Sequence, residues 1–170
     1  PEYREQYASD LKKVLPRVPY APDFRAFEKA GRTLAALHLD YETVEPWPVT
    51  EEAKPKGDLN DLAYYRVEKL RFASKGGREK DRSVIVFNSR ITIKGIPEQA
   101  YDYMVNGKSA IEWVMDRYEA ATDKESGIKD DPNEWCRESN DPAYILNLLK
   151  RVIRVSMDTV EIVGGLPSIQ

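Results

Sequence analysis

The chain has 170 residues, 41% of them hydrophobic, which is enough for one domain around one core. No apolar run nears the roughly 20 residues that cross a bilayer; the start PEYREQYASDLKK lacks a signal-peptide core, and one cysteine (Cys136) with one histidine (His38) can build neither an internal disulfide nor a zinc site. A net charge of −3 argues against a uniformly basic nucleic-acid binder and leaves a soluble, cytoplasmic protein, read as a fragment of a longer one because it opens Pro1-Glu2-Tyr3 without an initiating Met.

Residues 3–15 read as helix. Residues 23–38 do so more strongly, because Phe24, Phe27, Ala30, Leu34 and Leu37 recur at three- and four-residue spacing with Asp23 placed as a cap after Pro22. Three prolines and a glycine between Tyr41 and Asp61 predict an extended loop over 41–61, with Trp47 available to order it. YYRVEKLRF (64–72) predicts a strand, and SKGGREKDR (74–82) a charged turn. SVIVFN (83–88) and RITIKGI (90–96) predict two more strands that reverse at Asn88-Ser89.

Pro97 opens an expected helix to about Asn106, and a second covers 110–121 with Ile111, Val114, Met115 and Tyr118 on one face. Asp131-Pro132 starts a short helical turn and Asp141-Pro142 a long helix. Ile145, Leu148, Leu149, Val152, Ser156, Val160 and Val163 form the apolar stripe of that helix until Gly164-Gly165 and Pro167 stop it. The expected fold class is α+β: a small antiparallel sheet of about three strands packed with about five helices in one domain over 1–170.

The stretch Asn106-Gly107-Lys108-Ser109 has the letters of a phosphate-binding loop. Such a loop needs a glycine five residues before the Gly-Lys pair, a buried strand before it and a helix after it. Asp102 occupies the glycine position, and the preceding residues read as helix. A helix-to-helix corner accounts for the letters instead, with Gly107 past the end of one helix and Ser109 with Glu112 as a capping box for the next. Lys108 is left either to solvent or to a phosphate contact from an exposed corner.

Charge is unevenly spread. From Arg66 to Lys94 nine basic residues face three acids, so that segment carries +6 and the remainder −9. A concentration of this kind is the footprint of an anionic partner. Cys136 and His38 lie far apart without a nucleophile signature, and structural roles are assigned to both. Trp47, Trp113 and Trp135 read as core or loop anchors, Arg117 and Arg137 as helix-face salt bridges, and Arg151 with Arg154 as the frame of a polar helix face.

The run ITIKGIPEQAYDYMVNGKSAIEWVMDRY, with DDPNEWCRE and the closing EIVGGLP, resembles the C-terminal specificity domain of the single-polypeptide type ISP restriction-modification enzymes. The opening YREQYASDLKKVLPRVPYAPDFRAFEKAGRTLAALHLDYE is similar to that family as well, so the resemblance covers nearly the whole chain. It implies a parent that joins a nuclease, a helicase-like motor ATPase, a coupling region, an adenine N6-methyltransferase and a terminal target-recognition domain; relatives are often described as DEAD/DEAH-type helicases. ATP, Mg and S-adenosylmethionine would serve other parts of that parent. The fragment has no motif for ATP hydrolysis, methyl transfer or nuclease chemistry, and is expected to be a non-catalytic, cofactor-free DNA-recognition domain. Its expected partners are double-stranded DNA and the methyltransferase of the same polypeptide. The rival reading is a scaffold that docks on the methyltransferase, closes the clamp around DNA and reads no bases.

Recognition requires groups for phosphates and groups for base edges. The residues expected to contact DNA are Arg71, Lys75, Arg78, Lys80, Arg82, Arg90, Lys94 and Lys108, most of them on or beside a hairpin whose Gly76-Gly77 pair lets the loop conform. Arg90, Thr92 and Lys94 are expected to share an exposed face while Ile91 and Ile93 point to the core.

Overall fold

The computed structural model describes residues 21, 23–53, 58, 60–77 and 79–168, together with Glu5, Ala8, Ser9 and Lys12. Arg78 and most of the helix expected over 3–15 lie outside the described residues. Among the described residues the architecture is α+β: five α-helices and a four-stranded antiparallel sheet, with two small two-stranded sheets beside it.

The sheet contains β1 (Thr50–Ala53), β2 (Arg71–Gly76), β3 (Glu79–Val86) and β4 (Ile91–Lys94) in the order β1-β4-β3-β2. Alternation along β3 and β4 sends Ile85, Ile91 and Ile93 inward, each at most 1% exposed. Thr92 and Lys94 fall on the opposite face as expected, opposite Glu52 and Thr50 of β1 and Val86 and Val84 of β3, but Arg90, expected with them, precedes β4 and reaches the Tyr64 ring and Ala63 O instead. The fourth strand, β1, lies inside the expected 41–61 loop. Its sequence, TEEA, has no strand signal of its own, and it forms by pairing with β4 over Thr50↔Lys94 to Ala53↔Ile91.

The expected strand over 64–72 is corrected. Residues Leu62–Tyr65 form a short helix, α2, capped by Asp61, whose carboxylate accepts from the Ala63 N–H at 2.8 Å. The next residues are held by side chains instead of a partner strand. Asn88 donates to the carbonyls of Tyr64 and Arg66 at 2.9 and 3.1 Å, and Asn133 brackets Val67 by accepting its N–H at 2.8 Å and donating to its C=O at 2.7 Å. With these backbone groups satisfied, pairing starts only at Arg71. The stretch 74–82 is correspondingly less of a turn than expected, because strand pairing continues to Gly76 and resumes at Glu79.

Helix α1 (Phe24–Leu39) starts at Asp23, which accepts from the Ala26 N–H at 3.0 Å. It packs on α5 without burying any residue, and His38 reaches Tyr103 Oη at 3.0 Å. The long α5 (Tyr144–Gly164) backs the sheet with Ile145, Leu149 and Ile153, each at most 1% exposed. Its buried face runs on through Val155, Ser156 and Thr159, so the stripe turns away from the expected Val160 and Val163. Arg151 and Arg154 donate to the carbonyls of Val44 and Glu45 at 3.2 and 3.3 Å, and Arg154 lies 4.5 Å from the centre of the Trp47 ring. These arginines therefore tie the 41–49 segment to α5, where a polar helix face was expected.

After Pro97 the chain makes only a 3-10 turn, Glu98–Tyr101, and the helix expected to Asn106 is absent. Met104–Val105 (β5) pairs instead with Lys108–Ser109 (β6). Asn106 and Gly107 have φ of 50° and 85° at its turn. Asn-Gly with two positive φ angles is the tight hairpin turn matched to strand twist, and that preference overrides the helical start. The corner is thus hairpin-to-helix, with no buried strand feeding a phosphate loop. Its second half is as expected: Ser109 caps α3 (Ala110–Arg117) by accepting from the Glu112 N–H at 3.3 Å, and Glu112 accepts from the Ser109 N–H at 3.1 Å. Ser109→Ala is expected to lower unfolding free energy by about 1 kcal/mol, measured by urea denaturation. The remaining elements are the β7–β8 hairpin (Ala121–Thr122 with Lys129–Asp130) and α4 (Asn133–Glu138). That small hairpin begins at Ala121, the last residue of the expected 110–121 helix, which instead ends at Arg117, and otherwise lies within a stretch expected as loop.

Candidate nucleic-acid interface

Three shallow depressions run together along the β2 edge of the sheet. The first, about 360 Å³, lies between β2 and α3; the second, about 340 Å³, lies over the start of β2 and the β3–β4 turn; the third, about 220 Å³, lies against α2 and α4. The first two share Lys69 and Arg71, and the last two share Ala63 and Arg66. The result is a band with Lys108, Lys80, Lys69, Arg71, Arg90, Arg66 and Arg137 along it, against Glu112, Asp116, Glu119 and Glu68.

Some of these cations are already paired. Arg66 lies 2.7 Å from Asp131, Lys69 lies 2.7 Å from Glu119, and Lys108 pairs with Asp116 while its ammonium sits 5.2 Å from the Trp113 ring centre. Exposed pairs of this kind contribute only about 0–1 kcal/mol, so a phosphate can compete for the cation. Among the described residues, Arg71, Lys80, Arg90 and Arg137 have no carboxylate partner. Lys80 lies 5.9 Å from the Phe72 ring, and Arg90 lies 5.9 Å from the Tyr64 ring and donates to Ala63 O at 3.4 Å. Arg71 is exposed where the first two depressions meet.

The residues expected to contact DNA therefore divide. Arg71, Lys80, Arg90 and Lys108 come together on the band. Lys75 sits on the hairpin tip, 4.0 Å from Glu79, and Lys94 sits on the outer sheet face, 2.8 Å from Glu52. Arg82 points to the protein: its guanidinium lies 4.1 Å from the Tyr101 ring centre and 3.6 Å from Glu112, with Nε buried and without a hydrogen-bond partner among the described residues. Tyr101 Oη in turn donates to Arg82 O at 2.6 Å, and burial pushes that phenol far above the usual tyrosine range. Burial also pushes the Glu112 carboxyl up, but hydrogen bonds from Ser109 and the charge of Arg82 outweigh it and hold the group below its ordinary value.

Arg66, Lys69 and Arg137 are band residues absent from the expected set. The first two belong to the basic run, and their outward placement depends on the 64–69 segment not being a strand. Arg137 becomes visible as a band residue only once Asn133 has docked α4 against Val67.

Asp131 anchors that docking. Its carboxylate binds Arg66 and accepts from Asn133 N and Nδ2 at 3.1 and 2.6 Å. Burial raises its pKa, but the Asn133 and Arg66 hydrogen bonds dominate and leave it lowered. A carboxyl with a lowered folded-state pKa contributes stability that is present above the unfolded value of about 3.9 and is lost as pH falls through the folded value. Asp131→Asn should therefore lower the melting temperature clearly at pH 6, with the difference from wild type shrinking towards pH 3.

The other candidates are structural. Cys136 is 2% exposed and burial raises its thiol pKa, which removes it as a nucleophile near neutrality. No group of His, Cys, Asp and Glu able to hold a metal occurs among the described residues, and no helix there is long and apolar enough to cross a membrane. Trp113 Nε1 donates to Val105 O at 2.6 Å and holds the β5–β6 hairpin, while Trp135, half exposed, meets Tyr144 edge-on at 6.2 Å.

The model of the Type ISP C-terminal specificity domain matches residues 1–148. Among solved structures, the chain is similar to the ATP-dependent Type ISP restriction-modification enzyme LlaBIII bound to DNA (43% identity, TM-score 0.82), covering 99% of this chain and 10% of that one. It is also similar to a nuclease-deletion mutant of the Type ISP enzyme LlaGI in complex with a DNA substrate mimic (46%, TM-score 0.81; 99% and 13%) and to DrdV in a DNA complex (30%, TM-score 0.74; 99% and 17%). Nothing among the curated proteins matches. The chain thus spans only 10% to 17% of the length of these solved relatives.

Proposed function

The chain belongs to the Type ISP C-terminal specificity domain family, and from that membership we propose that it recognises duplex DNA for a restriction-modification enzyme, holding phosphates along the Arg66–Arg71–Arg90 band. The observation that carries this reading is the continuity of that band: three adjoining depressions share cationic residues, and four of the seven cations have no carboxylate partner among the described residues. Lysine and arginine that retain free donors are what a polyphosphate backbone requires.

The remainder of the proposed parent would supply cleavage, ATP-driven motor activity and adenine methylation, with ATP, Mg and S-adenosylmethionine bound there, in the cytoplasm. Its methyltransferase part is the inferred same-chain partner. Lys75, Lys94 and Arg82 fit this reading in supporting roles: tip, outer face and hairpin root respectively.

Fluorescence anisotropy with a labelled duplex tests it. Saturable binding by the 170-residue chain in the roughly 10⁻⁶–10⁻⁴ M range of non-specific binders, or tighter, is expected. A chain that ignores DNA but binds the separately made methyltransferase portion would instead establish a docking role.

A further inference from the structure

A further depression, about 240 Å³, shares no residue with the cationic band. Arg137 of α4 lines the band, whereas Trp135, two residues earlier and so about 200° around the helix, lines this depression. Its walls are the rings of Tyr118, Trp135 and Tyr144 with Pro132, and the well-exposed side chains of Arg117 and Asp130 complete it. Trp135 is half exposed and meets Tyr144 edge-on at 6.2 Å, and its indole N–H has no hydrogen bond among the described residues. The fold thus leaves half of this ring and its donor unused.

The depression favours positive charge. Aromatic ring faces carry negative potential, strongest in tryptophan. Tyr144 Oη donates to the Glu42 carboxylate at 2.5 Å, and a phenol polarised in this way has a more electron-rich ring. Burial, and then the bond to Glu42, pushes that phenol far above the usual tyrosine range, so it remains the donor throughout the neutral range. The carbonyl end of α3, at Arg117, adds the partial negative charge of a helix C-terminus, and Asp130 adds a full one. The chain answers this field only loosely. Arg117 meets Asp130 at 3.4 Å with both side chains well exposed, and an exposed pair of this kind contributes little, so a better-placed guanidinium can take the carboxylate.

We propose that this depression is a docking pocket for an arginine side chain on a peptide segment of a protein partner. The guanidinium stacks on Trp135 and Tyr144 and takes Asp130 from Arg117, while a backbone carbonyl of the segment accepts from the Trp135 N–H. Arginine suits the site better than lysine because its planar head stacks on a ring and meets a carboxylate with two donors at once. This assignment is independent of the DNA reading above, since no band residue takes part.

Titration of the isotope-labelled 170-residue chain with a blocked Gly-Arg-Gly peptide, followed by NMR at the Trp135 indole N–H and the Tyr118 amide, tests the proposal. The same peptide with citrulline in place of arginine is the control, equal in shape and uncharged. A saturable shift with a Kd of about 1–10 mM is expected for so small a probe, and citrulline should bind at least about threefold more weakly. Trp135→Leu is expected to weaken the arginine peptide by about 3- to 30-fold, read at the Tyr118 amide. Arg117→Gln, which keeps every wall of the pocket, is expected to bind the peptide more tightly because it removes a like charge and the competitor for Asp130. Absence of a shift, equal binding of the two peptides, or a Trp135→Leu chain that binds like wild type would each overturn the proposal. A weaker Arg117→Gln chain would overturn it by making Arg117 part of the pocket, and a Trp135→Leu chain that loses duplex affinity would do so by placing Trp135 on DNA.

Discussion

Replacing Arg71 and Arg90 together by alanine is expected to weaken duplex binding by roughly 2–4 kcal/mol, about 30- to 700-fold, since each arginine contact to DNA contributes on the order of 1–2 kcal/mol. Both side chains line the middle depression and neither has a carboxylate partner among the described residues. Neither is needed for the fold: Arg71 is exposed at the start of an edge strand, and Arg90 makes one long hydrogen bond to Ala63 O beside the Tyr64 ring. Folding stability should therefore stay close to wild type while affinity collapses. Arg32→Ala supplies the control, because that arginine is paired with Glu28 on α1 and does not line the band. Its affinity should remain within about twofold, and equal losses in both variants would mean that only total charge matters.

The largest loss of stability outside the aliphatic core is expected from Asn133→Ala. Asn133 is 8% exposed, and its amide satisfies both backbone groups of Val67, a residue with no exposed surface. Removing it orphans a buried N–H and a buried C=O, each costing about 1–3 kcal/mol, so a total of roughly 3 kcal/mol is expected. For a chain of this size that corresponds to a melting temperature lower by about 6–12 °C. Asn133→Asp keeps the acceptor for the Val67 N–H but sets a carboxylate oxygen against Val67 O and the Asp131 carboxylate in place of the donating amide, and should destabilise at least as much as alanine near neutral pH. Because Asn133 holds the segment that presents Arg66 and Lys69, the alanine variant should also bind DNA more weakly at temperatures where it is still folded. Urea denaturation and duplex titration on one preparation would measure both effects.

The parts of this fold visible in the sequence are those decided locally. Asp23 caps α1, Ser109 and Glu112 form their box, Val and Ile alternate through β3 and β4, and Ile145, Leu148 and Leu149 mark the start of the α5 core face. What was not visible was decided by distant partners. β1 is TEEA and becomes a strand only because β4 offers an open edge. YYRVEKLRF has strand composition, yet Asn88 and Asn133, one a turn residue and the other on α4, take over its backbone groups. The helix after Pro97 gives way because Asn106-Gly107 favours the hairpin turn and because Tyr101 is buried with its hydroxyl on Arg82 O.

The candidate site follows the same division. The basic run from Arg66 to Lys94 supplies five of the seven cations along the band, but composition shows only where charge is concentrated, not which charges stay free. Arg82 is spent on Tyr101 and Glu112, and Lys94 on Glu52, while Arg137 joins the band from a helix more than forty residues later in the chain. Ion pairing depends on which acids the fold brings near, and neither composition nor spacing carries that information.

The most direct measurement is the salt dependence of duplex affinity for the wild-type chain. If about five cations of the band meet phosphates, log affinity should fall against log salt with a slope near −4 to −5, and the Arg71→Ala, Arg90→Ala chain should lose about two of those units. A slope close to zero, or one that the double substitution leaves unchanged, would contradict a phosphate-holding role for this band.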